Sequence, residues 1–378
     1  MAVRVAFSAF LALVVAMGIG RFAFTPQVPL MIDDRQLSLT SAGVVAALNY
    51  LGYLFGSWDA MRATRRVEWR LQAGIWGAVA LTLLSACIAG PWWHGVVRFL
   101  IGWASGWAMV LIAAWSNEQL HHYGRPALSA AVYAGPGTGI FLSGMMAVLL
   151  HQWQIGAAMA WLAYGVMALL LVLLIARNLP RSGQLHRPDT APEPLKLTAG
   201  LKKLVWSYSL AGFGYILPAT FLSEMAAARF PGSAFAQFAW PVFGGAAVVG
   251  IIAGILTRRY GHSNRRLAYV LVLQAVGVFA SDLLPGIGGL VLGAVLVGGG
   301  FLCVVQLSLQ YGRELAPRHT RYLAGLLTTG YALGQLVGPL LSAISTALVG
   351  RLEPALYVAG VALLVAAALV WRRDAAAE

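Results

Sequence analysis

The stretch AMGIGRFAFTPQVPLM, residues 16–31, ends the first apolar run of the chain and carries a single charge, Arg21. The whole run, residues 4–31, is longer than the roughly 20 apolar residues that a helix needs to cross a hydrocarbon core. A permanent cation inside such a run is costly and is usually retained for a function. The stretch therefore predicts a membrane-spanning helix with a buried site at Arg21.

The composition extends this prediction to the whole chain. Of its 378 residues, 60% are hydrophobic and only 10% are charged, whereas a soluble domain carries about a quarter charged residues. The apolar runs are long and continuous, which favours helices over the short alternating strands of a lipid-facing barrel. The sequence predicts twelve spans, at residues 4–31, 38–58, 70–90, 92–117, 127–150, 153–177, 201–224, 236–257, 267–285, 288–311, 321–349 and 353–371.

Positive charge is distributed unevenly between the two sides that twelve spans define. Most of the 26 Lys and Arg residues fall into loops on the side that holds both termini, and few fall on the other side. This positive-inside pattern predicts that both termini are cytoplasmic in a bacterial inner membrane. The net charge of +13 then belongs to loops that face anionic membrane lipid, and it does not indicate a nucleic-acid partner.

An internal duplication divides the spans into two sets of six. GYLFGSWDAMRATRR (52–66) closes span two and GIIAGILTRRYGHSNRR (250–266) closes span eight, each with two glycines before a cluster of arginines. YAGPGTG (133–139) in span five is matched by GYALGQLVGP (330–339) in span eleven. Parallel repeats of this kind are typical of transporters whose halves rock against each other.

The duplication also predicts the domains and two candidate hinges. Six-helix bundles are expected at 1–178 and 201–378, joined by a cytoplasmic linker at 179–200 that is rich in proline and charge. Pro136 and Pro339 each remove one backbone hydrogen bond from the matched spans, so both are expected to bend their helices and are candidates for gating.

These motifs resemble those of the major facilitator superfamily over the whole length of the chain. GILTRRYGHSNRR (254–266) is similar to the loop motif of that superfamily, although Arg258 stands where an acid is expected, and RFLIGWASG (98–106) resembles its span-four motif. The Gly-Pro segments resemble a motif of antiporters. The opening GIGRFAFTPQVPLM (18–31) resembles the YbfB/YjiJ branch. The resemblance implies an all-α membrane protein of twelve helices, arranged in two pseudo-symmetric six-helix bundles, that works by alternating access.

Two arginines lie inside spans at a similar expected depth, Arg21 in span one and Arg98 in span four. The resemblance implies that both spans line the central cavity, and in lipid each guanidinium would cost at least ~2.5–3.5 kcal/mol. In one interpretation the arginines donate to backbone carbonyls that Pro26 and Pro29 leave free. In the other they form a cationic pocket, because a guanidinium fork binds a carboxylate or phosphate with two hydrogen bonds. We favour the structural or coupling role for Arg98 and the substrate role for Arg21.

The remaining substrate-binding candidates are aromatic and amide side chains of cavity spans, which orient a small polar ligand through a few hydrogen bonds. They are Asn49, Trp107, Tyr215, Gln306, Tyr331 and Gln335. Coupling to protons needs a titratable group in the substrate path. Glu224 at the end of span seven is the candidate for it, and the alternative is an ordinary residue of the outer loop. The loop motif implies gating roles for Asp59 and Arg259.

The sequence thus predicts a secondary active transporter that functions as a monomer, and three functions stay open. The first is a carrier of a small organic anion that moves with or against protons. The second is a multidrug or metabolite efflux antiporter, which the Gly-Pro segments favour. The third is a sensor that binds a ligand without transporting it, although the linker is too short for an output domain. No GxxxxGKS/T motif and no nucleophile or metal-ligand spacing occurs, so we expect no enzymatic activity, metal site or cofactor.

Overall fold

The computed structural model describes residues 1–185 and 195–373, so residues 186–194 of the expected linker lie outside it. The side chains of Leu39, Thr40, Glu224, Ala227 and Ala343 also lie outside this description. Fourteen α-helices fill the described part of the chain. They are α1 Ala2–Leu13, α2 Phe24–Asp33, α3 Leu39–Arg62, α4 Val67–Leu84, α5 Pro91–His122, α6 Leu128–Val132, α7 Ala134–Gln152, α8 Ala157–Ile175, α9 Ala199–Arg229, α10 Ala234–Leu256, α11 Ser263–Leu283, α12 Ile287–Leu315, α13 Thr320–Val349 and α14 Glu353–Val370.

A helical segment lies at each of the twelve predicted spans, and the boundaries agree to within six residues. Span one combines α1, a π-helix at Val14–Arg21 and α2, and span five combines α6 and α7. Within the described residues, nine of these segments are long and apolar enough to cross a membrane. The other three are α3, α4 and α9, of which α4 carries Glu68, Arg70 and Gln72 in its first two turns. The all-α membrane fold is therefore confirmed, with nine crossings that length and composition support directly.

The first segment changes its hydrogen-bond pattern within the stretch at residues 16–31. Residues Val14–Arg21 form a π-helix, and α2 begins at Phe24. Pro26 and Pro29 bring no N–H groups to this region, so carbonyls just before them lack their usual helical donors. Single π-helical turns inside α-helices frequently mark functional sites. Span one is thus irregular at the depth where Arg21 lies.

The two candidate hinge prolines have different surroundings. Helix α6 ends at Val132 and α7 begins at Ala134, so Pro136 lies in the first turn of a new helix, where a missing N–H costs little. Pro339 lies inside α13, which runs without a break from Thr320 to Val349. An interruption is therefore present beside Pro136 only, and a gating role for either proline stays a prediction.

The sequence duplication is visible in how the helices pack. Spans two and four, α3 and α5, pack closely together, and so do spans eight and ten, α10 and α12. A Cβ atom at Gly52 would collide with the backbone carbonyl of Phe99, and one at Gly250 would collide with that of Gly299. Both glycines open the matched motifs, so they hold the same packing position in each half of the chain. Small residues at such contacts let membrane helices approach closely.

The two halves of the chain meet where α3 contacts α13 and where α7 contacts α10. At the end of α3, Arg321 of α13 donates to the carbonyls of Ala60 and Ala63. Cations are favourable at this position because the carbonyl end of a helix is partly negative. On the α7–α10 side, Gly144 lies directly against the ring of Pro241. The halves are therefore closed against each other along both pairs of helices.

Within the second half, a glycine face of α13 packs on α9. Gly330, Gly334 and Gly338 recur every four residues and share one face of the helix. A Cβ atom at Gly334 would collide with the backbone carbonyl of Ser209 on α9. This close approach brings Gln335, the residue after Gly334, within reach of the side chains of α9.

Candidate functional site

Arg21 lies at the interface between the two halves, at the end of the π-helix, and its side chain is only 3% exposed. Its Nη2 donates to Oε1 of Gln335 on α13, at 2.5 Å. The guanidinium carbon lies 3.9 Å from the centre of the Tyr53 ring and 5.3 Å from that of Tyr50, both on α3. A desolvated cation gains about 2 kcal/mol or more over a ring face. Arg21 is therefore held by rings of its own half and by one amide of the other half.

A column of four aromatic rings lies in the second half, on α9, α12 and α13. Neighbouring ring centres are 4.5 Å apart for Tyr208 and Tyr331, 5.4 Å for Tyr331 and Tyr215, and 4.7 Å for Tyr215 and Phe301. The angles between neighbouring rings are 25°, 18° and 13°, so the rings are nearly parallel. Gln335 joins this aromatic column to the arginine, because its Nε2 donates to the Tyr215 hydroxyl while its Oε1 accepts from Arg21.

The residue after Arg21 brings another ring to the same surface. Phe22 meets Phe301 edge-on, with ring centres 5.9 Å apart and ring planes at 86°. The Phe22 ring also lies 6.3 Å from the ring of Trp240 on α10. A guanidinium and an aromatic ring of the first half thus meet an amide and a wall of rings of the second half.

Arg98 is fully buried, and both of its terminal nitrogens serve the backbone of span one. Nη1 donates to the carbonyl of Gly20 at 2.8 Å, and Nη2 donates to the carbonyl of Arg21 at 2.5 Å. Asn49 in turn donates to the carbonyl of Arg98 at 2.8 Å, which links α3 to α5. The two arginines therefore lie at the same depth, and this geometry favours the structural interpretation of Arg98 and Asn49 over a substrate-binding role.

Among the described side chains, the ones that contact Arg21 carry no negative charge. In the described part of the chain, its side chain contacts one amide and three aromatic rings, and Arg98 places a second cation nearby. Its Nε atom is buried and has no hydrogen-bond partner among the described residues. The Glu224 side chain is outside the description. Its backbone lies nine residues along α9 from Tyr215, which is about 13.5 Å at 1.5 Å per residue.

Trp107 and Asp59 form a separate polar cluster near the end of α3. The Asp59 Oδ2 atom accepts from Trp107 Nε1 at 2.6 Å and from Arg70 Nε at 2.8 Å. Trp107 follows Arg98 by nine residues on α5, which is about 13.5 Å along the helix. The expected grouping of Trp107 with Arg21 is therefore not found. A gating role for Asp59 stays a prediction.

Gln306 and Arg259 also lie away from the arginine site. Gln306 donates to Gln310 at 2.9 Å, and Gln310 donates to Glu314 at 3.2 Å, so these side chains form a ladder toward the end of α12. Glu314 also accepts from Ser263 of α11 at 2.6 Å. Arg259 is exposed in the turn after α10. Of the predicted substrate residues, the structure brings together Arg21, Tyr215, Tyr331 and Gln335.

Several rings around Arg21 were not predicted as site residues. They are Phe22, Tyr50, Tyr53, Trp240 and Phe301. Tyr50 and Tyr53 are three residues apart, which places both on one face of α3. That spacing is a signal in the sequence that could have identified them. The rings of α10 and α12 carry no comparable signal, because only the packing of helices brings them to the interface.

The fold matches a solved crystal structure of a mutant of the nucleoside transporter NupG, with a TM-score of 0.69 over 98% of each chain. The two sequences are 15% identical, so this likeness shows the fold alone. No curated protein sequence matches the chain. The family model described as the uncharacterised MFS-type transporter YbfB, where MFS denotes the major facilitator superfamily, matches residues 13–371. The chain therefore belongs to the YbfB family of major facilitator transporters, and it is a multi-pass membrane transporter and not an enzyme.

Proposed function

We propose that the protein is a secondary active transporter of the bacterial inner membrane that moves a small organic anion by alternating access, coupled to protons. In this mechanism the bundles at 1–178 and 201–378 rock about the interface that holds Arg21, and both termini are cytoplasmic. The observation that carries the proposal is a buried guanidinium between the halves whose described contacts are uncharged.

The hydrogen bond between Arg21 and Gln335 supports an anion site at Arg21. The Gln335 oxygen accepts from only one of the two N–H donors on that edge of the guanidinium. The oxygen accepts from Nη2, while Nε on the same edge of the guanidinium has no partner among the described residues. A carboxylate takes both donors of such an edge in two parallel hydrogen bonds, which are roughly twice as strong as neutral ones. A carboxylate would therefore replace the Gln335 oxygen and neutralise the cation at the same time.

The hydrogen bond between Arg21 and Gln335 joins the two halves, so it has to break when they separate. Arg21 then keeps its contacts with Tyr50 and Tyr53 of its own half and loses only its acceptor. An anion that binds the freed edge supplies that acceptor, and it lets the halves close around it. The ligand makes more contacts with the closed form than with either open form, so it stabilises the closed form. The two open forms interconvert through this closed form, and the ligand therefore favours their conversion.

The aromatic surroundings of Arg21 support a second candidate, efflux of a lipophilic drug or metabolite. Phe22, Trp240 and the aromatic column offer apolar area around a single polar bridge, as drug-binding cavities do. The guanidinium groups of Arg21 and Arg98 disfavour cationic drugs, because like charges repel. A sensor on the same fold would bind these ligands without moving them across a vesicle membrane.

Proton coupling is proposed to use Glu224, since a carboxylate in the substrate path is a usual coupling group. Its backbone lies one turn beyond Thr220, whose hydroxyl is 3.5 Å from that of Tyr50 across the interface. Glu224→Gln should remove the dependence of transport on an imposed pH gradient and leave anion binding in place. Transport in proteoliposomes at two external pH values measures this, with the exposed Glu118→Gln as the control. Unchanged pH dependence would exclude Glu224 from coupling.

A thermal-stability panel on the purified protein tests the anion proposal. A ligand that binds only the native state stabilises it by about 2.7 kcal/mol at 100 times its Kd. We expect butyrate, benzoate or 2-naphthoate to raise the melting temperature. Neutral amides of the same acids and tetraphenylphosphonium should leave it unchanged. Stabilisation by tetraphenylphosphonium but by none of the acids would contradict the anion proposal and favour efflux of cationic drugs.

A further inference from the structure

We infer that the substrate is a planar aromatic or conjugated acid, whose carboxylate binds Arg21 and whose ring lies against the aromatic column and Trp240. The inference rests on the proposed function, because it takes an anion at Arg21 as given. It adds the shape and chemistry of the uncharged part of the substrate. Three observations support it. Most rings of the aromatic column are tyrosines, Phe22 contacts the rings of Phe301 and Trp240, and the acceptor Gln335 lies beside these rings.

The aromatic column carries more polar atoms than helix packing requires. Three of its four rings are tyrosines, and Tyr208, Tyr215 and Tyr331 are each at most 4% exposed. A buried hydroxyl group needs a hydrogen-bond partner, so tyrosine is costly where Phe or Leu would fill the same space. Close packing of membrane helices favours small residues instead. Tyrosine rings at an interface are typical of surfaces that recognise a ligand, because they combine an apolar body with a polar tip.

Phe22 shows what this surface contacts in the closed form. Its ring meets Phe301 edge-on at 5.9 Å and lies 6.3 Å from the Trp240 ring. The preceding residue, Arg21, donates to Gln335 at the same time. The second half thus presents an acceptor and an aromatic wall side by side. A ligand that enters between the halves has to replace both contacts.

A carboxylate attached to a planar ring meets both requirements. Its two oxygens accept from Nε and Nη2 of Arg21. When the first half moves, Phe22 leaves Phe301 and Trp240, and the ring of the ligand takes its place against them. A saturated ring of similar size fills the same space. It lacks the quadrupole that favours offset-stacked and edge-on contacts between aromatic rings, so it binds more weakly.

Calorimetric titration of the purified full-length protein tests this inference with three probes: 2-naphthoate, its saturated counterpart decahydro-2-naphthoate, and the neutral 2-naphthamide. We expect 2-naphthoate to bind about tenfold more tightly than the saturated acid, because contacts with two or more rings are lost. The amide should show no measurable binding. Trp240→Phe keeps an aromatic ring and should keep this ratio, whereas Trp240→Leu removes one of the two ring contacts and should lower it to about threefold. Tyr269→Leu, on the exposed face of α11, is the control and should keep the ratio.

The ratio of the two acids is measured on the unsubstituted protein, so it decides the question even if a Trp240 variant fails to fold. Equal affinity for the two acids would overturn the inference and leave the anion site in place. Equal affinity for 2-naphthoate and 2-naphthamide would overturn the anion site as well, because the charge would then contribute nothing. If none of the three probes binds, planar acids are excluded, and the response to butyrate decides separately on the proposed function.

Discussion

Arg21→Met is expected to lower the affinity for carboxylates by about a hundredfold while the protein stays folded. The substitution removes two charge-assisted hydrogen bonds to the anion, worth about 3 kcal/mol together, which is about a hundredfold in affinity. Methionine still fills the space beside Tyr50 and Tyr53, and only the Gln335 oxygen loses its donor. The described residues place no counter-charge against this buried cation, so its removal should change the melting temperature by only a few degrees.

Arg21→Lys separates the charge of the side chain from its shape. A lysine ammonium is a point charge and cannot bind a carboxylate through a planar fork. The affinity for 2-naphthoate should therefore fall by about tenfold, between the values of the parent and of Arg21→Met. Arg4→Met is the matched control, because Arg4 is exposed on the same segment. It should bind 2-naphthoate as the parent does.

A structural role for Arg21 predicts the reverse order of effects. In that case Arg21→Met would lose expression and thermal stability first, and the folded remainder would bind 2-naphthoate with the affinity of the parent. Melting curves and titrations of the same preparations distinguish the two outcomes.

Hydropathy predicts where the spans lie, because the length of an apolar run has to match the thickness of the hydrocarbon core, whichever neighbours the helix packs against. Pro26 and Pro29 likewise predict free carbonyls near the end of span one, but the carbonyls that accept from Arg98 are those of Gly20 and Arg21, which lie just before the turn between the π-helix and α2. Which of the two arginines reaches those carbonyls cannot be predicted this way. Both arginines are single cations in apolar runs, and the choice depends on how spans one and four approach each other in the fold.

The other predicted site residues show which part of the site cannot be predicted from residue type. Tyr215 and Gln335 were predicted from their polar character in cavity-lining spans, and they form the bridge to Arg21. Trp107 and Gln306 have the same character, but they bind Asp59 and a neighbouring glutamine instead. Each pair consists of one aromatic residue and one glutamine, so residue type does not distinguish the pair at Arg21 from the other pair. The rotation of each helix about its own axis decides what a side chain faces, and tertiary packing sets that rotation.

Arg98→Met is expected to lower stability and to leave anion affinity unchanged in the protein that folds. Nη1 and Nη2 of Arg98 serve two backbone carbonyls of span one. The substitution leaves both carbonyls without a donor in an interior where water cannot replace it. Each lost hydrogen bond to a charged group costs about 1.5–3 kcal/mol, so the free energy of unfolding should fall by about 3 kcal/mol or more.

The melting temperature and the yield of monodisperse protein measure this loss. Arg125→Met, in the exposed loop after α5, is the control, and its effect should stay within about 0.5 kcal/mol. Asn49 still binds the backbone carbonyl of residue 98, so α3 and α5 keep their contact in the fraction that folds. An Arg98→Met protein with the melting temperature of the parent that no longer binds 2-naphthoate would contradict this expectation. Arg98 would then contact the substrate, and the anion would be shared between two arginines.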